Sequence, residues 1–264
     1  MKRIALLLGA LAFVASTASA GLKYEFSSVT SGRGGTKMIG TAKIEGSNMR
    51  LDLREGDNVM FQDNSVVISN DGGKTLLVLD TKKKTYYELS LEDTFQAMGS
   101  MMKSMGGMLQ MSIDNQSVEV ADGGDGGTIQ GYPTRKHVVT TSYDFAMKIM
   151  GMNRSSHIDM KTESWSTDKI PQDSMKFVQM RGLRTGMEEL DKLIAAQTAA
   201  VKGFPLKQII TTTTSQGKKS DTQTTTMEVT SIEQTNIADS EFEVPAGYEK
   251  GESPLEAMQN LGRR

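Results

Sequence analysis

The chain has 264 residues, a formal charge of −2, two histidines, nineteen methionines and no cysteine. The missing cysteines exclude thiolate metal sites, a thiol nucleophile and a cysteine-linked lipid anchor. The slightly acidic balance lacks the basic stripe that nucleic-acid binding requires, and a chain of this length can bury a core without disulfides.

The N-terminus reads as a targeting signal. Lys2 and Arg3 precede an apolar run over residues 4–14 and then "ASTASA", with Ala18 and Ala20 at the −3 and −1 positions of a small-residue cleavage site. Residues 1–20 are therefore expected to be a cleavable signal peptide. The periplasm is the expected destination, with secretion as the alternative. Loss of Lys2 and Arg3 takes the formal charge from −2 to −4. The apolar run is too short to span a bilayer, which needs roughly 20 apolar residues. No later stretch approaches that length, so no transmembrane segment is expected in the mature chain.

Residues 22–91 read as short strands separated by turns. In "MRLDLR", Met49, Leu51 and Leu53 share one side and Arg50, Asp52 and Arg54 the other, the period-two pattern of a half-buried antiparallel strand. Asn70-Asp71-Gly72-Gly73 and the turn near 81–84 mark hairpins. The pattern then changes to helical spacing. Phe95, Met98, Met102, Met105 and Leu109 recur at steps of three and four, which predicts a Met-rich helical segment over 92–111. Polar, glycine-rich sequence follows over 114–127, and "DGGDGG" at 122–127 reads as a turn or loop without the ligand spacing of a calcium site. Strands resume at "PTRKHVVTTSYDF" and "SSHIDMKTESWST". A second helix is expected over about 187–202, with Thr185 and Glu188 as a capping box, Gly203 as the stop and Pro205 just beyond. The Thr-rich stretch after it predicts a last hairpin turning near 216–220, since threonine's branched Cβ favours strand geometry. Residues 251–264 read as a loosely held tail.

One domain over 21–250 follows, mainly β with two helices. A sheet of so many strands must bury one face. A strongly curved antiparallel half-barrel, with the helices over its concave face, does this and encloses an apolar cavity.

Several segments carry a resemblance. "LLVLDTKKKTYYELS", "GYPTRKHVVT", "ESWSTDKIP", "GFPLKQIITT" and "SEFEVPAGYEK" occur in this order, and Phe242 to Tyr248 is the most specific piece. They resemble an exported bacterial family of unknown function, itself similar to the outer-membrane lipoprotein carriers, the lipoprotein localisation factors. The resemblance runs from about Leu22 to Lys250. It implies a half-open barrel closed by helices over an apolar cavity, which in the carriers shelters acyl chains. It also implies a Met-rich helical segment after the "YYEL" strand, and makes Trp165 a candidate cavity wall.

The segment 95–111 holds six methionines in seventeen residues. It can be a core helix, an apolar lid over a ligand, a Cu(I) site of thioethers or a sink for oxidants. Gly99, Gly106 and Gly107 together cost about 3 kcal/mol against alanine in a helix, which favours a lid over a rigid element. The candidate ligand-binding residues are Phe95, Met98, Met101, Met102, Met105, Met108, Leu109 and Trp165. His157, Asp159 and Glu163 share one strand face and read as a solvated face; His137 reads as an ordinary strand histidine. No metal site, cofactor or catalytic residue is expected. The expected function is non-catalytic binding or carriage of a lipid, acyl chain or lipoprotein. The alternatives are Cu(I) binding through Met98, Met101, Met102 and Met105, and a structural or envelope-stress role without a small ligand.

Overall fold

The computed structural model describes residues 21–32, 34–57, 62–90, 92–94, 96–97, 109–149, 152–170, 188–200 and 202–253. The expected signal peptide, most of the Met-rich segment and residues 254–264 lie outside them.

Six strands run outward from the centre of one sheet: β1 (Gly21–Ser31), β2 (Lys37–Glu45), β3 (Asn48–Gly56), β4 (Ser65–Ser69), β5 (Thr75–Asp80) and β6 (Thr85–Ser90). Five return from the far edge: β7 (Leu109–Ile129), β8 (Tyr132–Ile149), β9 (Met152–Thr167), β10 (Phe204–Gln216) and β11 (Lys219–Thr235). The two meanders join where β11 pairs antiparallel with β1. The short β12 (Glu249–Lys250) adds in parallel to β6, giving a twelve-stranded sheet ordered β12-β6-β5-β4-β3-β2-β1-β11-β10-β9-β8-β7.

The sheet is open and curls on itself. Leu76, Val78 and Leu89 near one edge share a core cluster with Leu22, Phe204, Leu206 and Val229 at the centre, and Ile129 and Tyr132 from the other edge pack against it. Bulges between Glu25 and Phe26 and between Ile39 and Gly40 bend the central strands. The architecture is thus the mainly β, curved antiparallel half-barrel expected from the strand pattern.

Period-two alternation separates the faces. On β1, Leu22, Tyr24 and Phe26 point to the concave side, opposite Ile44, Ala42 and Gly40 of β2. The outer side is charged and carries the ion pairs Lys23–Glu233 and Arg50–Asp52, each at 2.8 Å. β4 is the exception, buried along its whole length. Its outer face, with Leu79, is covered by Ile237 and Phe242, and Val244 and Tyr248 pack alongside. This covering segment is pinned by Arg50 Nη1 donating to the Glu241 carbonyl (3.1 Å) and Asn70 Nδ2 donating to that of Phe242 (3.2 Å). The most specific stretch of the sequence resemblance, Phe242 to Tyr248, therefore seals the outer side of β4–β6.

Helix α1 (Glu188–Ala200) lies against β7 and β8 on the concave side. Leu193 and Ala200 are buried, and Gln197 Nε2 donates to Thr141 Oγ1 (3.2 Å), a hydroxyl wholly shielded from solvent. It matches the helix expected over 187–202; Thr185 lies outside the described residues. Gly203 sits just past it at φ +72, where a side chain would be strained.

Two expectations fail. The helical segment does not reach residue 111: helical backbone covers 92–94 and 96–97, begun by Ser90 Oγ accepting from the Asp93 amide (3.1 Å), but strand β7 has begun by Leu109. Residues 122–127 are not a turn or loop but part of β7. Each Asp-Gly-Gly triplet makes a bulge rather than a turn. Asp122 and Asp125 each accept from the amide of the glycine two residues on, at 2.9 and 2.8 Å. Those glycines, Gly124 and Gly127, take φ of +80 and +74. The same Asp–Gly chemistry that closes turns here adds a residue inside a ladder.

Candidate functional site

A recess of about 110 Å³ opens on the concave side where β1 and β11 meet β10. Tyr24 and Phe26 reach it by alternation along β1, Met227 and Val229 along β11, and Phe204 and Leu206 from the start of β10. Phe204 is 1% exposed and meets Tyr24 edge-on, with ring centroids 5.4 Å apart. Burial of the Tyr24 phenol pushes it up to about 12, so it is neutral at any physiological pH. The recess is mainly apolar, with Gln208 and Glu228 also bordering it, and suits an aliphatic or aromatic group.

Across residues 203–205 lies a second, larger cleft of about 770 Å³, between the C-terminal end of α1 and the ends of β7, β8 and β9. Its apolar surface comes from Val120, Pro133 and Ala200, and its rim from Arg135, His137, Lys169, Lys202, Asp122 and Asp168. Asp122 and Arg135 form a two-point ion pair across β7 and β8. That hydrogen bond, helped by the Gly124 amide, holds the Asp122 carboxyl down at about 2.

Of the residues expected to bind ligand, Phe95, Met98, Met101, Met102, Met105 and Met108 lie outside the described residues. The backbone of Leu109 opens the edge strand β7. Trp165 is not in the cavity wall. It lies on the outer face, with Lys136 Nζ 4.7 Å and Lys207 Nζ 5.8 Å from its ring centroid. Those lysines pair with Glu163 and Glu228, each at 2.7 Å. The ring fits because Gly126 carries no side chain; a Cβ there would stand 2.9 Å from Trp165 Cδ1. On β9 the concave positions beside it are Ser164 and Ser166, buried and hydrogen-bonded to each other at 3.0 Å. Sequence reasoning missed Tyr24, Phe26, Phe204 and Leu206. The signal that could have found them was the alternation in "LKYEF" and "FPL".

His157 sits on the solvated outer face. Its Nδ1 is 2.7 Å from Asp144, and its Nε2 is 3.2 Å from Ser142 Oγ and 3.4 Å from Asp159. Serine, histidine and aspartate thus stand in a row on the outer face. The hydrogen bond to Asp144 raises the imidazole above its ordinary value and Asp159 adds to it. Among the described residues, no group of three or more His, Asp or Glu side chains is placed to hold a metal ion.

The family model described as a domain of unknown function, DUF4412, matches residues 29–248. The chain belongs to this family. The match to DUF4412 runs from within β1 to Tyr248, the last aromatic of the segment sealing β4–β6. No curated protein matches this DUF4412 chain. Similar solved structures include an uncharacterized conserved protein from Thermus thermophilus, at 7% identity and TM-score 0.39, covering 88% of this chain and 90% of that one. Another is the LolA superfamily protein NE2245 from Nitrosomonas europaea, at 8% identity and TM-score 0.32, covering 85% and 90%. PNGF-II matches at 13% identity and TM-score 0.35, over 91% of this chain but 32% of its own. All three scores lie below 0.5 and decide neither fold nor function. Among the described residues, no helix is long and apolar enough to cross a membrane.

Proposed function

We propose that this protein is a non-catalytic binding or carrier protein of the periplasm that reversibly buries a hydrophobic ligand, such as an acyl chain. The observation that carries the reading is the recess on the concave side at the border of the central core cluster, where Tyr24, Phe26 and Met227 meet the buried Phe204, Leu206 and Val229. Each methylene removed from water contributes about 0.8 kcal/mol. One chain therefore gives affinity that is useful yet reversible, as a transport role needs.

The test is uptake of the neutral dye N-phenyl-1-naphthylamine, with and without Met227→Gln. Met227 lines the recess and is half-buried, so the change adds polarity to the wall without opening a core void. Dye affinity should fall several-fold while the unfolding midpoint moves little. Equal affinity in the folded variant would count against this wall as the ligand surface.

A further inference from the structure

We propose that the cleft beside the C-terminal end of α1 takes the head of a single-chain amphiphile bearing one negative charge, with Lys202 as its ion partner. This rests on the hydrophobic-ligand reading and specifies its ligand class. Three observations lead to it.

The first is size. A recess of about 110 Å³ accepts only the end of a chain. The cleft of about 770 Å³ falls within the ~300–1,000 Å³ typical of small-molecule sites. The second is position. Gly203 lines the cleft, while Phe204 and Pro205 line the recess. The two cavities thus border consecutive residues of the chain, and the proposed ligand runs past 203–205 from one to the other. Val120, 56% exposed, leaves apolar surface open on the cleft side for the carbons next to the head.

The third is charge. Arg135 is held by Asp122, and Lys169 lies 3.7 Å from Asp168. Each pair is formally neutral. Lys202 has no ion-pair partner among the described residues, which leaves the rim one uncompensated cation. That matches a carboxylate better than a doubly charged phosphate, and a neutral head would leave the charge unused. Offsetting the partial negative charge at the end of α1 is the competing role for Lys202. It would leave ligand selectivity unchanged.

The experiment displaces bound N-phenyl-1-naphthylamine from the full chain with dodecanoate and, separately, with dodecan-1-ol. The acid should act at roughly tenfold lower concentration, the scale of one charge-assisted hydrogen bond. Lys202→Gln should abolish that preference and Lys202→Arg should keep it. If the alcohol matches the acid, if dodecanoate fails to displace bound dye, or if Lys202→Gln keeps the preference, the head assignment is overturned while the binding reading stands. If the dye itself does not bind, both fall.

Discussion

Phe204→Ala perturbs the recess and the core at once. Phe204 is 1% exposed, belongs to the central cluster and meets Tyr24 edge-on. Truncation removes roughly 100 Å³ of side chain; at about 24 cal/mol per Å³ the void alone costs about 2.4 kcal/mol, and lost transfer energy brings the total to about 3–5 kcal/mol. Urea unfolding followed through Trp165, the only tryptophan, reads this directly. With a slope of at most about 3 kcal/mol/M, the midpoint should fall by about 1 M or more. The recess should also roughly double from its 110 Å³, so the alkyl chain length that best displaces the dye should increase. A loss below about 1 kcal/mol would mean that Phe204 is not the wedge between core and recess. An unchanged chain-length optimum would mean that no chain end reaches it.

Gly126→Ala should destabilise by about 1–3 kcal/mol through overpacking, because the new Cβ would stand 2.5 Å from Thr134 Oγ1 and 2.9 Å from Trp165 Cδ1. Urea unfolding would show the loss and Trp165 emission would shift; no change in either would contradict the packing of the ring over β7. His157 has a folded pKa raised chiefly by its hydrogen bond to Asp144, so its stabilisation is complete below the unfolded value of about 6.5 and fades as pH rises through the folded one. An NMR titration of the His157 ring should show a midpoint above the ordinary value that drops in Asp144→Asn, and an unmoved midpoint would refute the pairing.

Much of the fold was legible because its strands obey simple alternation. "MRLDLR" places Met49, Leu51 and Leu53 on the concave side, as period two dictates, and Ile158 and Met160 fall opposite the charged side of β9 in the same way. The hairpin turn of the Thr-rich pair lies between Gln216 and Lys219, where the sequence put it. The errors have physical causes. Asp-Gly-Gly supplies positive φ equally to a turn and to a bulge, so residues 122–127 carry no local sign that they continue a strand. Trp165 misled because its place in the cavity wall was only what the resemblance implied, whereas two small serines fill the inner positions and the indole lies beside lysine stems outside. Methionine periodicity was read through to residue 111, but from Leu109 the chain is committed to pairing with β8. The candidate wall stayed unread because its residues come from both ends of the sequence, Tyr24 with Phe204 and Val229, and only the β1–β11 pairing joins them.

Reversible burial of a hydrophobic ligand on the concave face is tested most directly by native mass spectrometry of the exported protein purified without detergent. The account predicts a lipid-sized or fatty-acid-sized adduct, lost on delipidation and regained on adding dodecanoate. A bare protein mass that stays bare after both dodecanoate and dodecan-1-ol are added would contradict it.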